Sequence, residues 1–203
     1  SLDPYIIDKE DIDYVLSIVD FWDKESLSAK SDAYLPKGYE KVVGNGVTVF
    51  GAAHNSTTPV GHFVPNYTKA LKVGFSAIRD EALAKMRELE GKMFCCEVEN
   101  YNFYRAVAVC CDGLIIYSKR FAEECIAQAE KCKEEQRRKE LLKMAEVFDN
   151  IIAKPCRSFH EALQCMYLYH LALCLDANMH GLSFGRVDQY LGEFYEADIS
   201  SGR

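Results

Sequence analysis

The sequence predicts a mainly α-helical protein with a few short strands, and three observations carry that expectation. Apolar residues recur at three- and four-residue intervals through most of the 203 residues, the period of an amphipathic helix. Strand signals are confined to two short runs, 47–50 and 182–184. The composition, 49% hydrophobic and 27% charged, is that of an ordinary folded chain and excludes disordered, collagen-like and coiled-coil classes.

The elements follow in order. Asp8 stands where it can cap a first helix over 9–24. Glu10 and Asp11 complement the dipole of its first turn, and Ile12, Val15, Leu16, Val19 and Trp22 form one apolar stripe. Residues 25–65 lack a helical period and are punctuated by Pro36-Lys37-Gly38, Gly44-Asn45-Gly46 and Thr58-Pro59-Val60-Gly61. An irregular stretch of that length in a helical chain is more often functional than accidental. Asn66, after Pro65, caps a second helix carrying Tyr67, Ala70, Leu71, Gly74, Ile78, Ala82, Met86 and Leu89 at helical spacing.

A third helical region runs from near Phe94 to Cys132, with Val107, Cys110, Leu114, Phe121 and Cys125 on one side and Asn100 and Gly113 as points of potential breakage. Residues 131–140 mix both charge signs and read as a solvated connection. Apolar helical spacing resumes over 141–152 and stops before Pro155. Ser158 and Glu161 have capping-box spacing, and the helix they open is apolar nearly all round over 162–175, the pattern of a helix buried on several sides. A polar turn over 176–181 precedes the second strand signal and a last helical segment over 187–197.

The net charge of −7 leaves no basic footprint for nucleic acid or an anionic membrane surface, and no apolar run approaches the ~18 residues that span a bilayer. The first residues have neither the basic nor the apolar region of a signal peptide, and no initiator Met is present. The expectation is a piece of a longer cytoplasmic protein. Nine cysteines form no C-x-x-C and follow no metal-ligand spacing, which excludes zinc-ribbon and thioredoxin-like motifs. Most lie in apolar helix-period stretches, so they are expected to be reduced, mostly buried and unreactive.

No Gly-rich phosphate loop, H-E-x-x-H or G-x-S-x-G motif occurs. Of the five histidines, His160 and His170 fall on the apolar helix and are expected as hydrogen-bonded core residues. His62 and His180 each stand in a Gly-bearing turn at the edge of regular structure, where ligand contacts concentrate. They are the candidate substrate-binding residues, and no residue is assigned a catalytic or metal-binding role.

One ordered set of motifs resembles the glycyl radical enzymes, the family of pyruvate formate-lyase. Ser158-Phe159-His160-Glu161-Ala162-Leu163-Gln164, then an apolar helix, then Asn178-Met179-His180-Gly181-Leu182-Ser183-Phe184-Gly185-Arg186 and Asp188-Gln189-Tyr190-Leu191 is similar to a signature block of that family. Gly61-His62-Phe63-Val64-Pro65-Asn66-Tyr67 resembles its Gly-His-x-x-Pro-Asp-Tyr segment. Ala108 to Asp112 with Lys119-Arg120-Phe121-Ala122 resembles the helix that follows, and Asp20-Phe21-Trp22-Asp23 matches a Tyr-Trp element near its start. The likeness covers the chain in order and stands nearest the diol and glycerol dehydratase and choline trimethylamine-lyase branch.

The resemblance implies that residues 1–203 are a single N-terminal-to-middle segment of a pyruvate formate-lyase-like domain, part of an α/β barrel. It places His62 and His180 in the pocket of a small polar substrate. Gly181 stands where the dehydratases carry a pocket Ser, which leaves the substrate open. The family stores its radical in an Arg-Val-x-Gly loop and uses a Gly-Cys loop to abstract hydrogen; neither motif occurs in these residues. Cys110-Cys111 is adjacent like the pair of pyruvate formate-lyase but lies in the helix before Arg120. The implied full-length parent is a homodimer that eliminates water or another leaving group. It binds no cofactor and carries a glycyl radical installed by an S-adenosylmethionine iron–sulfur activating enzyme. The chain alone would be inert. Alternatives are formate C-acetyltransferase chemistry on pyruvate, or a non-catalytic truncated helical module.

Overall fold

A computed structural model describes residues 7–34, 36–38, 63–92, 94–177 and 181–202. The chain divides into two compact units, Ser1–Val60 and Gly61–Arg203. The first contains α1 (Lys9–Glu25) and the short α2 (Leu27–Asp32). Asp8 occupies the N-cap position in an extended conformation, but its side chain makes no capping bond; its carbonyl accepts from Ile12 N–H at 3.1 Å. The α1 stripe is present and exposed, with Trp22 at 54%. Helix α2 lies in the stretch read as irregular. It is a single turn and a half opened by Ser26, whose hydroxyl accepts from Ala29 N–H, and six residues are too few for an apolar period to register.

The second unit is built from α3 (Tyr67–Leu89), α4 (Cys96–Lys131), α5 (Glu135–Ile151), α6 (Phe159–Ala177) and α7 (Val187–Ser200). Among the described residues there is no strand. The run at 182–184 is not a strand: among the described residues its one backbone bond outside the chain's helices is Ser183 N–H to Phe63 C=O, and a ladder needs a succession of such bonds. The run at 47–50 lies outside the described residues.

Helix α4 is the longest element, about 54 Å at 1.5 Å per residue. It packs against α3 and α5 through Ala108, Cys111, Ile115, Ser118, Ala122, Cys125 and Ala129, spaced alternately by three and four. Of the five residues expected on that side Cys125 is in the buried line; for the other four the line is offset by one position, with Cys110 and Phe121 exposed and Val107 and Leu114 flanking the core half-buried. Small residues win the central line because they let helix backbones approach closely. Ser118 is satisfied there by donating to Phe148 C=O at 2.6 Å. Gly113 causes no break; the charged run 135–140 is not a connection but the first turns of α5, laced by Arg138–Glu135, Lys139–Glu135 and Arg137–Glu140 pairs.

The break falls instead at Gly74, where φ is +75° and ψ 161°. A Cβ there would sit 2.6 Å from the Lys154 carbonyl carbon. The opened ladder is satisfied by the α5–α6 connection: Phe75 N–H donates to Ile152 C=O at 2.8 Å, Ser76 N–H to Ala153 C=O at 3.1 Å, and Cys156 N–H to Leu71 C=O at 3.0 Å. Tyr67, Leu71, Phe75, Ile151, Ile152, Ala162, Cys165, Met166, Leu168 and Leu191 centre the core. Helix α6 is buried on one side only; Leu163, Tyr167 and Leu175 are exposed, so its all-round apolar character is only partly used within these residues.

Candidate functional site

The candidate histidines His62 and His180 lie outside the described residues, as do the turns around them up to 62 and over 178–180. Their neighbours in the chain are described, and those neighbours meet. Phe63 follows His62 and leads through Pro65 to the Asn66 cap, whose Oδ1 accepts from Lys69 N–H at 3.1 Å. Residues 181–186 connect the polar turn to α7. Ser183 N–H donates to Phe63 C=O at 3.3 Å, so the two strips run side by side.

Their register is set by two glycines and a tyrosine. Gly181 and Gly185 have φ of +72° and +66°, a region that favours glycine. A Cβ on Gly185 would meet Val64 Cγ1 at 2.6 Å and Tyr190 Oη at 2.7 Å. Tyr190 Oη in turn accepts from Arg186 N–H at 3.3 Å. The Arg186 guanidinium is engaged by Asp188 through Nε at 3.1 Å and Nη2 at 2.9 Å, which depresses the Asp188 carboxyl below its usual range; both side chains are exposed.

Beneath the two strips lies an aromatic cluster. Tyr67, the first residue of α3, is 1% exposed and packs edge-on to Tyr169 and against Phe184 and Tyr190. Its hydroxyl shares a hydrogen bond of 3.3 Å with His170 Nδ1. The His170 ring stacks on Phe184 with centroids 4.2 Å apart and planes 22° from parallel. Burial, with smaller contributions from Tyr169, Cys174 and Tyr190, pushes the Tyr67 phenol up to about 12, so its proton is retained at neutral pH. His170 is therefore hydrogen-bonded as expected, but half-buried rather than a core residue. His160 is not: it points to solvent, because the α6 face it occupies is opposite Ala162 and Cys165.

The thiols divide similarly. Cys111, Cys125, Cys156 and Cys165 are buried, Cys132 and Cys174 half-buried, and Cys95, Cys96 and Cys110 exposed. Burial, then the neighbouring Cys110, raises Cys111 to about 11. A hydrogen bond with Cys156 and burial raise Cys165. Fewer are buried than expected: Cys110 is exposed because its helix neighbour Cys111 takes the core face, and Cys95 and Cys96 lie at the exposed start of α4. Among the described residues no group of His, Cys, Asp and Glu is arranged to hold a metal, and no helix is long and apolar enough to cross a membrane.

The pyruvate formate lyase-like family model matches residues 1–203. Isethionate sulfite-lyase of Nitratidesulfovibrio vulgaris is 36% identical over 142 residues, 70% of this chain and 17% of that protein. Trans-4-hydroxy-L-proline dehydratase of Clostridioides difficile is 32% identical over 146 residues, 70% of this chain and 18% of that protein. A glycyl radical enzyme of Archaeoglobus fulgidus, known by crystal structure, superposes with a TM-score of 0.72 and 28% identity, covering 98% of this chain and 25% of that one. The chain belongs to the pyruvate formate lyase-like family of glycyl radical enzymes. It spans less than a fifth of the length of these two curated relatives.

Proposed function

We propose that this chain is one wall of the substrate pocket in a glycyl radical lyase or dehydratase, a helical segment of its α/β barrel. The observation that carries the reading is the match of the family model to residues 1–203. Relatives named for sulfite elimination and for dehydration favour elimination over pyruvate cleavage. The Ser183–Phe63 hydrogen bond supports a shared pocket for His62 and His180, since it joins the strips that immediately follow them.

The division of labour follows from what is in the chain. None of its 12 glycines stands in an Arg-Val-x-Gly loop and none of its cysteines in a Gly-Cys loop, so no radical step is assigned to these residues. Their part is to bind and orient. Neutral imidazoles both donate and accept, which suits hydroxyl groups of a polyol or amino-alcohol. Arg186, the fork that would suit a carboxylate, is already engaged by Asp188.

The test uses the full-length protein, treated anaerobically with a radical-activating enzyme and S-adenosylmethionine. A glycyl doublet by electron paramagnetic resonance and turnover of glycerol or choline is the expected result. Absence of the doublet, or release of formate from pyruvate and coenzyme A instead, defeats the reading.

A further inference from the structure

The polar bond inside the aromatic cluster is out of keeping with its surroundings. Tyr67 is almost wholly enclosed by Tyr169, Phe184, Tyr190 and His170, where a Phe would fill the same volume without a hydroxyl to satisfy. What the hydroxyl adds is direction. An aromatic stack leaves a ring free to slide and tilt, whereas a hydrogen bond at Nδ1 fixes the rotation of His170.

The bond stands where direction matters. His170, on α6, touches the strip after His62 through Tyr67, three residues past Val64, and touches the strip after His180 through Phe184. The two strips themselves share the Ser183–Phe63 bond and the Gly185–Val64 contact. One side chain thus couples the helix beneath to both strips above, and a half-buried polar pair is the kind of contact that fixes geometry more than it adds stability.

We propose that Tyr67 and His170 are a positioning pair for substrate binding: the hydroxyl–imidazole bond, with Phe184 as its stacking plate, sets the spacing of strips 63–66 and 181–186 and so the affinity for substrate. The inference rests on the functional reading above. Neither residue is called catalytic, because each acts through the strips it holds.

Tyr67→Phe removes the hydroxyl and keeps the ring; His170→Phe removes the nitrogen and keeps the stack on Phe184. In the activated full-length protein, with whichever of glycerol and choline turns over faster, each variant is expected to raise KM about fivefold or more while kcat stays within twofold. The double variant should be no worse than either single one, since both delete the same bond. A role in stability alone would lower the thermal midpoint and leave KM unmoved, and that result overturns the proposal. So do independent, multiplying effects in the double variant. If Tyr67→Phe does not yield folded protein, His170→Phe carries the same test from the other side of the bond. A wild-type protein that forms no glycyl doublet defeats the functional reading and the pair together; a wild-type that turns over with unchanged KM in the variants defeats the pair alone.

Discussion

Gly185 is required twice over, by a φ of +66° and by a side-chain space that Val64 and Tyr190 already fill. Gly185→Ala is expected to cost roughly 1–3 kcal/mol of stability from backbone strain alone, read as a lower urea midpoint, with substrate affinity falling alongside. An unchanged midpoint would mean that the strips yield easily. Thiol titration separates the cysteines by the same logic of environment. Cys95, Cys96 and Cys110 should react in the native protein, and Cys111, Cys125, Cys156 and Cys165 only after denaturation, since the last four are buried from a reagent; burial raises Cys111 and Cys125, and a hydrogen bond with Cys156 followed by burial raises Cys165. Rapid modification of all nine would contradict the core described here. The exposed state of His160 and the buried state of Cys165 were separable in the sequence only by helix phase, and phase along an apolar-all-round helix is not legible.

At the scale of elements, the caps show what local sequence can and cannot specify. Ser158 does accept from Glu161 N–H at 3.2 Å, as the capping-box spacing expects. The returning half of the box is absent, because the Glu161 carboxylate is taken by Arg157 N–H at 2.8 Å, by the Arg157 guanidinium and by Asn150 Nδ2 at 3.2 Å. Glu161 is 4% exposed and joins α5, the connection and α6. Ser158→Ala should therefore cost about 1 kcal/mol, and Glu161→Ala more, about 2–3 kcal/mol, because it strands buried donors. Equal costs would show that the box, not the network, holds the corner. The five long helices of the second unit were legible from apolar period, capping residues and Pro155. The kink at Gly74 was not: its cause is the backbone of Lys154, eighty residues further on, and a glycine within a sound helical period gives no local sign of it. The strand expected at 182–184 failed for a related reason, since a short apolar run becomes a strand only when a partner ladder exists, and among the described residues Phe63 offers one bond.

For the whole molecule, the family was legible because its motifs recur in order along the chain, while the geometry of its pocket was only half so. The motif Gly61 to Tyr67 pointed to His62, and the same motif ends in Tyr67, whose bond to His170 no periodicity announces. Since these 203 residues hold neither radical motif, the segment expressed alone should give no glycyl signal after treatment with an activating enzyme; a doublet on it would contradict the assignment of roles. The most direct test of the central claim compares activated full-length wild-type protein with His62→Ala and His180→Ala. Both variants should form the glycyl doublet as the wild type does and lose about tenfold or more in kcat/KM, since a hydrogen bond left unmade in a buried pocket costs about 1–3 kcal/mol and 1.4 kcal/mol is a factor of ten. Wild-type kcat/KM in both variants would remove these histidines from the pocket and, with them, the role given to this chain.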